Sequence, residues 1–492
     1  MPVAERHAHS AELVHGPTGA VSPLLNNPRS IPTAARRSRS AAHRGASVAC
    51  VAGALAWLSG CAGIAEQQGV LNQLHAQGMY AQAAAYLDEP KTREAYGKKN
   101  QLLWQLDRGA LARSLDQPQQ ALDLLEEAER TIEQGRQVSA GDAVGSWLVN
   151  DTVIPFQAEP YEDMYVNVIK LLANLELGRV DGGATVEARR LAGKANLLRD
   201  RYLQLSAAAE KRAESAQIAQ ARGTFGGMIP TNNAGQFVES PLGTYLSALA
   251  FMKAGDANFQ GVAGRRLVDS LEVQKGLVGS VRTEDFLDVG TRSPRDLNVL
   301  VVALSGRGPT KQAEQIGPLA IASVPIYLEL PRLQEHPSTV ASARVKVDGA
   351  VVAGSELKLI EDLNAVASEN HRRQLPLIYQ KTLIRYLIKA GVTIGVTEGI
   401  QNQKGNRDDG WIRIVGGLVG LGVLMATEKA DLRCWAFLPG QARVTTLKLE
   451  PGVHTLSVEY LADNGAVVYA APNKTLTVTE DGLATGVFQY WR

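Results

Sequence analysis

The sequence predicts an α+β protein: an N-terminal array of α-helical hairpins, then a C-terminal β-sandwich-like domain with inserted helices. Three observations carry that expectation. From about Glu66 to Val273, alanine, leucine and arginine dominate and β-branched runs are few, which favours helix. Near Leu297 the composition changes to short β-branched apolar runs separated by turn residues, the signature of strands. Between two groups of such runs, Leu357–Glu369 and Leu375–Lys389 return to i, i+3, i+4 apolar spacing.

The helical half divides at four tight turns: Gly78, Asp116-Gln117-Pro118, Gly178 and Gly255. Small residues stand beside them at helical spacing. Ala83 follows Gly78-Met79-Tyr80; Gly109 precedes the second turn, with Ala121 and Ala128 after it; Ala248 and Phe251 precede the fourth, with Val262 and Ala263 after it. Small side chains let antiparallel helices approach closely, and a turn glycine accepts positive φ. These spacings resemble the tetratricopeptide repeat. The turns fall 38, 62 and 77 residues apart where that repeat has a fixed period of about 34, so insertions intervene, at Gly141–Pro160 and Gly223–Pro241. A generic alanine-rich bundle is the competing reading. The loose run Arg179-Val180-Asp181-Gly182-Gly183 predicts an irregular third hairpin.

Leu297–Leu304 reads as a buried strand closing on Ser305-Gly306-Arg307-Gly308-Pro309. Val324–Leu328 and Ala343–Val347 follow, the latter ending on Asp348-Gly349, a favoured hairpin dipeptide. After the helical insertion, strands are expected at Val444–Leu449, Val453–Tyr460, Ala466–Ala470, Thr475–Thr479 and Val487–Trp491. Alternation on either side of Pro451-Gly452 predicts a hairpin with Leu447, Leu449, Leu456 and Val458 inward and Lys448, Glu450, Thr455 and Ser457 outward. It looks like the PEGA-type β-module of exported proteins. Trp411–Thr427, apolar and glycine-rich, reads as a buried helix; a membrane hairpin is the alternative, opposed by Arg413 and a length under the roughly 20 residues a span requires.

At the N-terminus, Arg36, Arg37, Arg39 and Arg44 precede the apolar run Ala46–Trp57, which ends in Leu58-Ser59-Gly60-Cys61. That is the layout of a secretory signal. The tetrapeptide resembles the bacterial lipobox, which implies acylation of Cys61 and cleavage between Gly60 and Cys61. An ordinary apolar segment ending in cysteine is the alternative. Alanine at position 62, where aspartate retains such proteins at the inner membrane, implies the outer membrane, facing the periplasm. The expected organisation is a disordered extension or early start at 1–35, a signal peptide at 36–60, a helical domain at 61–290, and a β-domain at 295–492 with its helical insertion at about 357–430.

Residues 1–60 hold six of the 51 basic and two of the 50 acidic residues, so the chain from Cys61 onward carries 45 basic and 48 acidic side chains. That balance gives no reason to expect nucleic acid as a partner. Cys434 is the lone cysteine after Cys61, and its flanks predict a buried thiol. His75, His336, His371 and His454 form no metal-ligand spacing. No Gly-x-Ser-x-Gly elbow occurs. Gly306–Lys311 lacks the phosphate-loop spacing and its proline removes an amide donor, so a plain turn is expected. Tyr161-Glu162-Asp163 opens a helix after Glu159-Pro160. Acidic residues there complement the helix dipole; these three are also the candidate partner or pocket residues, should they face the β-domain or a ligand.

Tyr161-Glu162-Asp163, Glu187-Ala188-Arg189-Arg190, the strand ending in Gly306-Arg307-Gly308-Pro309, and Ala430-Asp431-Leu432-Arg433-Cys434-Trp435-Ala436-Phe437-Leu438-Pro439 together resemble a group of bacterial TPR-like lipoproteins with a C-terminal PEGA-like β-domain. The resemblance spans most of the chain after Cys61, and its motifs look structural. It implies a non-enzymatic, lipid-anchored periplasmic scaffold without cofactor or metal, held to the membrane through Cys61 and binding an envelope protein by its helical surfaces. The rivals are an envelope enzyme acting on glycan or peptide at the junction of the two halves, and a carrier of an apolar ligand walled by 411–427.

Overall fold

Four residues in the left-handed backbone region cut the helical half into hairpins: Gly78 (φ 71°), Asp116 (φ 62°), Gly178 (φ 68°) and Gly255 (φ 73°). They are the four turns expected from the sequence. The computed structural model describes residues 63–141, 151–152, 154–212, 233–321, 324–401 and 429–492. Gly60, Cys61, the segments 1–35 and 36–60, and Trp411–Thr427 lie outside these described residues.

The helices are α1 (63–76), α2 (Tyr80–Asp88), α3 (Pro90–Tyr96), α4 (Gln101–Ser114), α5 (Pro118–Gly141), α6 (Pro160–Glu176), α7 (Thr185–Arg212), α8 (Pro241–Lys253) and α9 (Ala257–Val278). From α4 to α9 each packs on the next, so the hairpins stack in chain order. Close approach depends on small residues. A Cβ on Gly109 would stand 2.9 Å from Leu125 across the α4–α5 contact, and Ala121 and Ala128 are buried on the facing helix. The third hairpin is irregular, with Asp181 in extended backbone and Gly182 at φ 71° before α7 begins.

The strands are β1 (Val299–Ser305), β2 (Thr310–Ile321), β3 (Val324–Gln334), β4 (Ser342–Val347), β5 (Ala350–Asp362), β6 (Gln441–Leu447), β7 (Gly452–Leu461), β8 (Val467–Ala470), β9 (Lys474–Val478) and β10 (Ala484–Tyr490). All but β2 and β3 join one curled sheet in the order β10-β1-β6-β5-β4-β7-β8, with β9 also on β7. Only the β1–β10 pair is parallel among the described strands. Strand β1 is buried at every position, as its unbroken apolar run requires. Leu300, Val302 and Leu304 join the core shared with the helices. Val299, Val301 and Ala303 pack with Val345, Leu456, Val458, Tyr460 and Phe488 inside the curl. Strands β2 and β3 pair only with each other and form a separate arm.

Two local expectations are corrected. Leu357–Asp362 is strand, held between β4 and β6; helix α10 (Leu363–Gln401) starts only after it, where Asp362 accepts the amide of Ala365. Apolar residues at 357, 359, 360 and 363 fit either period, and pairing on both edges decides for strand. Pro451-Gly452 is not a hairpin turn: β6 pairs with β1 and β5, while β7 pairs with β4, β8 and β9. The inward alternation survives, with Leu456 and Val458 fully buried. Asp348-Gly349 does close the β4–β5 hairpin, both residues at positive φ. The described residues all fall in one compact unit, and no described helix is long and apolar enough to cross a membrane.

Candidate functional site

The segment Ala430–Gly440 runs between the helices and the sheet without joining either as regular structure. Its backbone groups are nonetheless buried, and buried amides need partners. Side chains of the helices supply them. Gln68 on α1 donates to the Cys434 carbonyl at 2.8 Å, and His75, one face of α1 further on, donates from Nδ1 to the Ala436 carbonyl at 2.9 Å. Asp107 on α4 accepts the Ala436 amide at 2.8 Å. Glu162 on α6 accepts the Trp435 amide at 2.7 Å. On the sheet side, Gly308 donates to the Leu438 carbonyl and Gly440 to that of Ser305. The strap carries Trp435, Phe437 and Leu438 into the common core. At its start, Arg433 is held by Asp431, Asn100 and the carbonyls of Asp151 and Ile154.

The groups that grip the strap are electrostatically unusual because they are dry. Burial pushes Asp107 up to about 8 and Glu162 up to about 7, and drives His75 down to about 3, with Arg307 adding to the effect. Burial also pushes the Cys434 thiol up to about 12, which makes it a poor nucleophile. Beside them, burial raises Glu159 but the ammonium of Lys311, 2.5 Å away, outweighs it and holds the carboxylate low.

The sequence-predicted residues do not converge. Tyr161 packs in the core. Glu162 forms a capping box with Glu159 at the start of α6 and reaches the strap. Asp163 points into a different set, pairing with Lys194 at 2.9 Å and Arg136 at 3.2 Å. All three are buried.

That second set is an ion-pair network across α5, α6 and α7. Glu126, Glu129 and Glu187 bring ligand oxygens within 4.8 Å of one another, the spacing of a cation site. The cation is supplied by the chain: the Lys170 ammonium contacts Glu126, lies 2.6 Å from Glu129 and 3.2 Å from Glu187. Arg190 contacts the same three carboxylates, and Asn167 donates to Glu129 and Glu187. With Asp163, Lys194 and Arg136, four acids meet four bases.

Sequence reasoning missed Gln68, His75, Asp107, Lys170 and Lys194. The available signal was a charge inside an apolar helical run: Asp107 interrupts Leu102–Ala112, and Lys170 interrupts Val166–Leu175. Such residues are buried only when paired. The Gly306–Pro309 segment is the plain turn expected; its Gly306 and Gly308 amides donate to backbone carbonyls and are not free to cradle phosphate.

A cavity of about 20 Å³ lies between α4, α6, β1 and β10, lined in part by Arg113, Tyr165, Phe437 and Gln489. It has room for one water and none for a substrate, which takes a few hundred Å³. Comparison of the chain with protein-family models, curated proteins and solved structures returns no match.

Proposed function

We propose that the protein is a non-catalytic scaffold of the bacterial cell envelope, lipid-anchored through Cys61 at the outer membrane, facing the periplasm, and binding a protein partner on its helical surfaces. The observation that carries this reading is where the polar chemistry goes. Among the described residues, the buried acids, lysines and histidine of the helical half grip the strap or one another. None is left beside a substrate-sized cavity. That pattern speaks for a rigid body and against the glycan- or peptide-cleaving alternative.

The finer reading of the architecture follows from the same packing. Four stacked hairpins with left-handed turn residues are consistent with TPR-like units, and the curl that sets β1 against β4 and β7 gives a sandwich-like interior. The strap occupies the inner side of the array, so the partner surface is the outer one. On α9, Phe259 is 43% and Val262 40% exposed, with the Arg189 guanidinium 5.1 Å over the Phe259 ring. An apolar pair rimmed by arginine is suited to a partner helix or extended peptide.

The anchor would act on that body directly. Helix α1 begins at residue 63, two positions after Cys61. Mass spectrometry of the mature N-terminus tests the acylation: a diacylated or triacylated Cys61 is expected, and an unmodified or differently cleaved terminus would overturn the anchor. Co-purification from solubilised envelope tests the scaffold. One reproducible partner, lost in Val262→Asp with the fold intact, is expected; no partner in repeated experiments would sink the idea.

A further inference from the structure

The β2–β3 arm ends in a stretch unlike the rest of the surface. Its outermost charges are Glu314 on β2 and Glu329 on β3; the fourteen residues between them carry none. The register sets Leu319 opposite Ile326 and Ile321 opposite Val324, so four large apolar residues share one face of the tip. Val324 and Ile326 continue, at a period of two, the line of Leu328 and Leu330, which are buried nearer the base. Tyr327 stands where the charge-free stretch begins, as aromatic residues do at the boundary of a bilayer.

The strap shows which way the arm points relative to Cys61. Glu329 accepts the amide of Ala430 halfway along the arm. The strap then passes Gln68 at Cys434 and His75 at Ala436. Helix α1 therefore runs from the arm side into the body, and its N-terminal end lies on the side to which the arm projects. Helix α10 takes the opposite course, outward. It contacts the arm base through Asn364 and His336, passes Pro331 at His371, and comes within electrostatic reach of Glu314 at Tyr379. Its remaining 22 residues add roughly 33 Å, and from Tyr386 to Thr397 Lys389 is the lone charge.

We propose that the tip of the β2–β3 arm is a second membrane contact, dipping into the outer layer of a lipid bilayer on the side of the molecule that carries Cys61. The inference rests on the Cys61 reading for the membrane's direction; the tip's own chemistry does not depend on acylation. A lipid surface fits better than a second copy of the chain. Pro318, Pro325 and Pro331 remove amide donors from both strands, which makes the arm a poor template for strand addition. The hairpin's unpaired outer edges keep it from spanning. From Ile316 to Ile321 it reaches roughly 17 Å, enough for one leaflet.

The test is a depth measurement on the full chain bearing Cys50→Ala and Cys61→Ala, with an environment-sensitive fluorophore on Ile321→Cys. Val453→Cys, at a site 68% exposed on the sheet, is the reference. Vesicles of phosphatidylethanolamine and phosphatidylglycerol are added, with and without nitroxide-labelled lipid. The label at 321 is expected to shift blue and lose most of its emission to the nitroxide, while the label at 453 does neither. No change at 321 overturns the proposal, even if the retained leader brings the chain to the vesicles. A blue shift without vesicles, rising with protein concentration, overturns it in favour of a second copy; one independent of concentration means the tip packs on its own body and also overturns it. Acylation is read separately from the mass of the native N-terminus.

Discussion

Glu162 and Trp435 are 273 positions apart in sequence and joined by a 2.7 Å hydrogen bond from the Trp435 amide to the Glu162 carboxylate. The other oxygen of Glu162 accepts the Glu159 amide, so one side chain caps α6 and fastens the strap. Glu162→Ala leaves two buried donors without acceptors. The expected cost is about 1–3 kcal/mol in urea unfolding. Asp107→Ala, which frees the neighbouring Ala436 amide, is expected to cost a similar amount. The double variant should lose less than the sum, because both residues hold one segment. Full additivity would mean that the strap is not a single unit.

The same groups set a pH dependence whose sign is fixed by their environment. Burial pushes Asp107 up to about 8, and Glu162 and Glu361 up to about 7. Their unfolded values are near 4, so the native state keeps protons that the unfolded chain has released. The stability from these three is fully present below about pH 4 and is lost as pH rises through 7 and 8. On the acid side, His75, driven down to about 3, contributes stability above about 6.5 that is lost as pH falls. Unfolding free energies from pH 5 to 9 should therefore decline on the alkaline limb, by up to about 1.4 kcal/mol per pH unit for each proton involved. Asp107→Asn should flatten the part near pH 8; an unchanged slope in that variant would refute the assignment.

What could be read locally was read correctly, and what depended on distant partners was not. The turns at Gly78, Asp116, Gly178 and Gly255 and the Asp348-Gly349 hairpin are decided within a few residues, since each requires a positive φ that few residue types accept. Leu357–Asp362 and the Pro451-Gly452 connection are decided by which strands lie alongside, and β6 and β7 are separated in the sheet by β5 and β4. The candidate acids Glu162 and Asp163 were visible as a helix start, but their separate destinations were not. One reaches a strap that begins more than 250 residues later; the other reaches lysine and arginine on two further helices. The motif Ala430–Pro439 stood out as a string of residues, and only the packing explains it, as a backbone read by four helical side chains.

Lys170 takes the place that a divalent cation would otherwise fill between Glu126, Glu129 and Glu187. Lys170→Ala should cost about 3–5 kcal/mol, because it leaves buried carboxylates uncompensated. Calcium or manganese should recover part of that loss in the variant, since three converging carboxylate oxygens suit either ion. The wild-type Tm should not move with the same ions or with a chelator. A wild-type Tm that rises in calcium would show that the lysine is not the network's own cation.

Gly78 and Trp491 tie the first hairpin to the C-terminus of the sheet. Gly78 turns the chain at φ 71°, and a Cβ on it would lie inside the Trp491 ring. Gly78→Ala therefore meets two penalties: about 1–2 kcal/mol for a side chain in the left-handed region, and about 1–3 kcal/mol for overpacking against a rigid indole. Trp491→Ala removes the second penalty but also loses the indole's packing on Tyr469 and Tyr490. In the Trp491→Ala background, Gly78→Ala should cost only the backbone share. The double-mutant cycle is thus expected to show a coupling of about 1–3 kcal/mol, read from urea midpoints at constant m-value. A coupling near zero would mean that the ring moves aside without cost and that the C-terminal strand is not latched to the helical array at this turn.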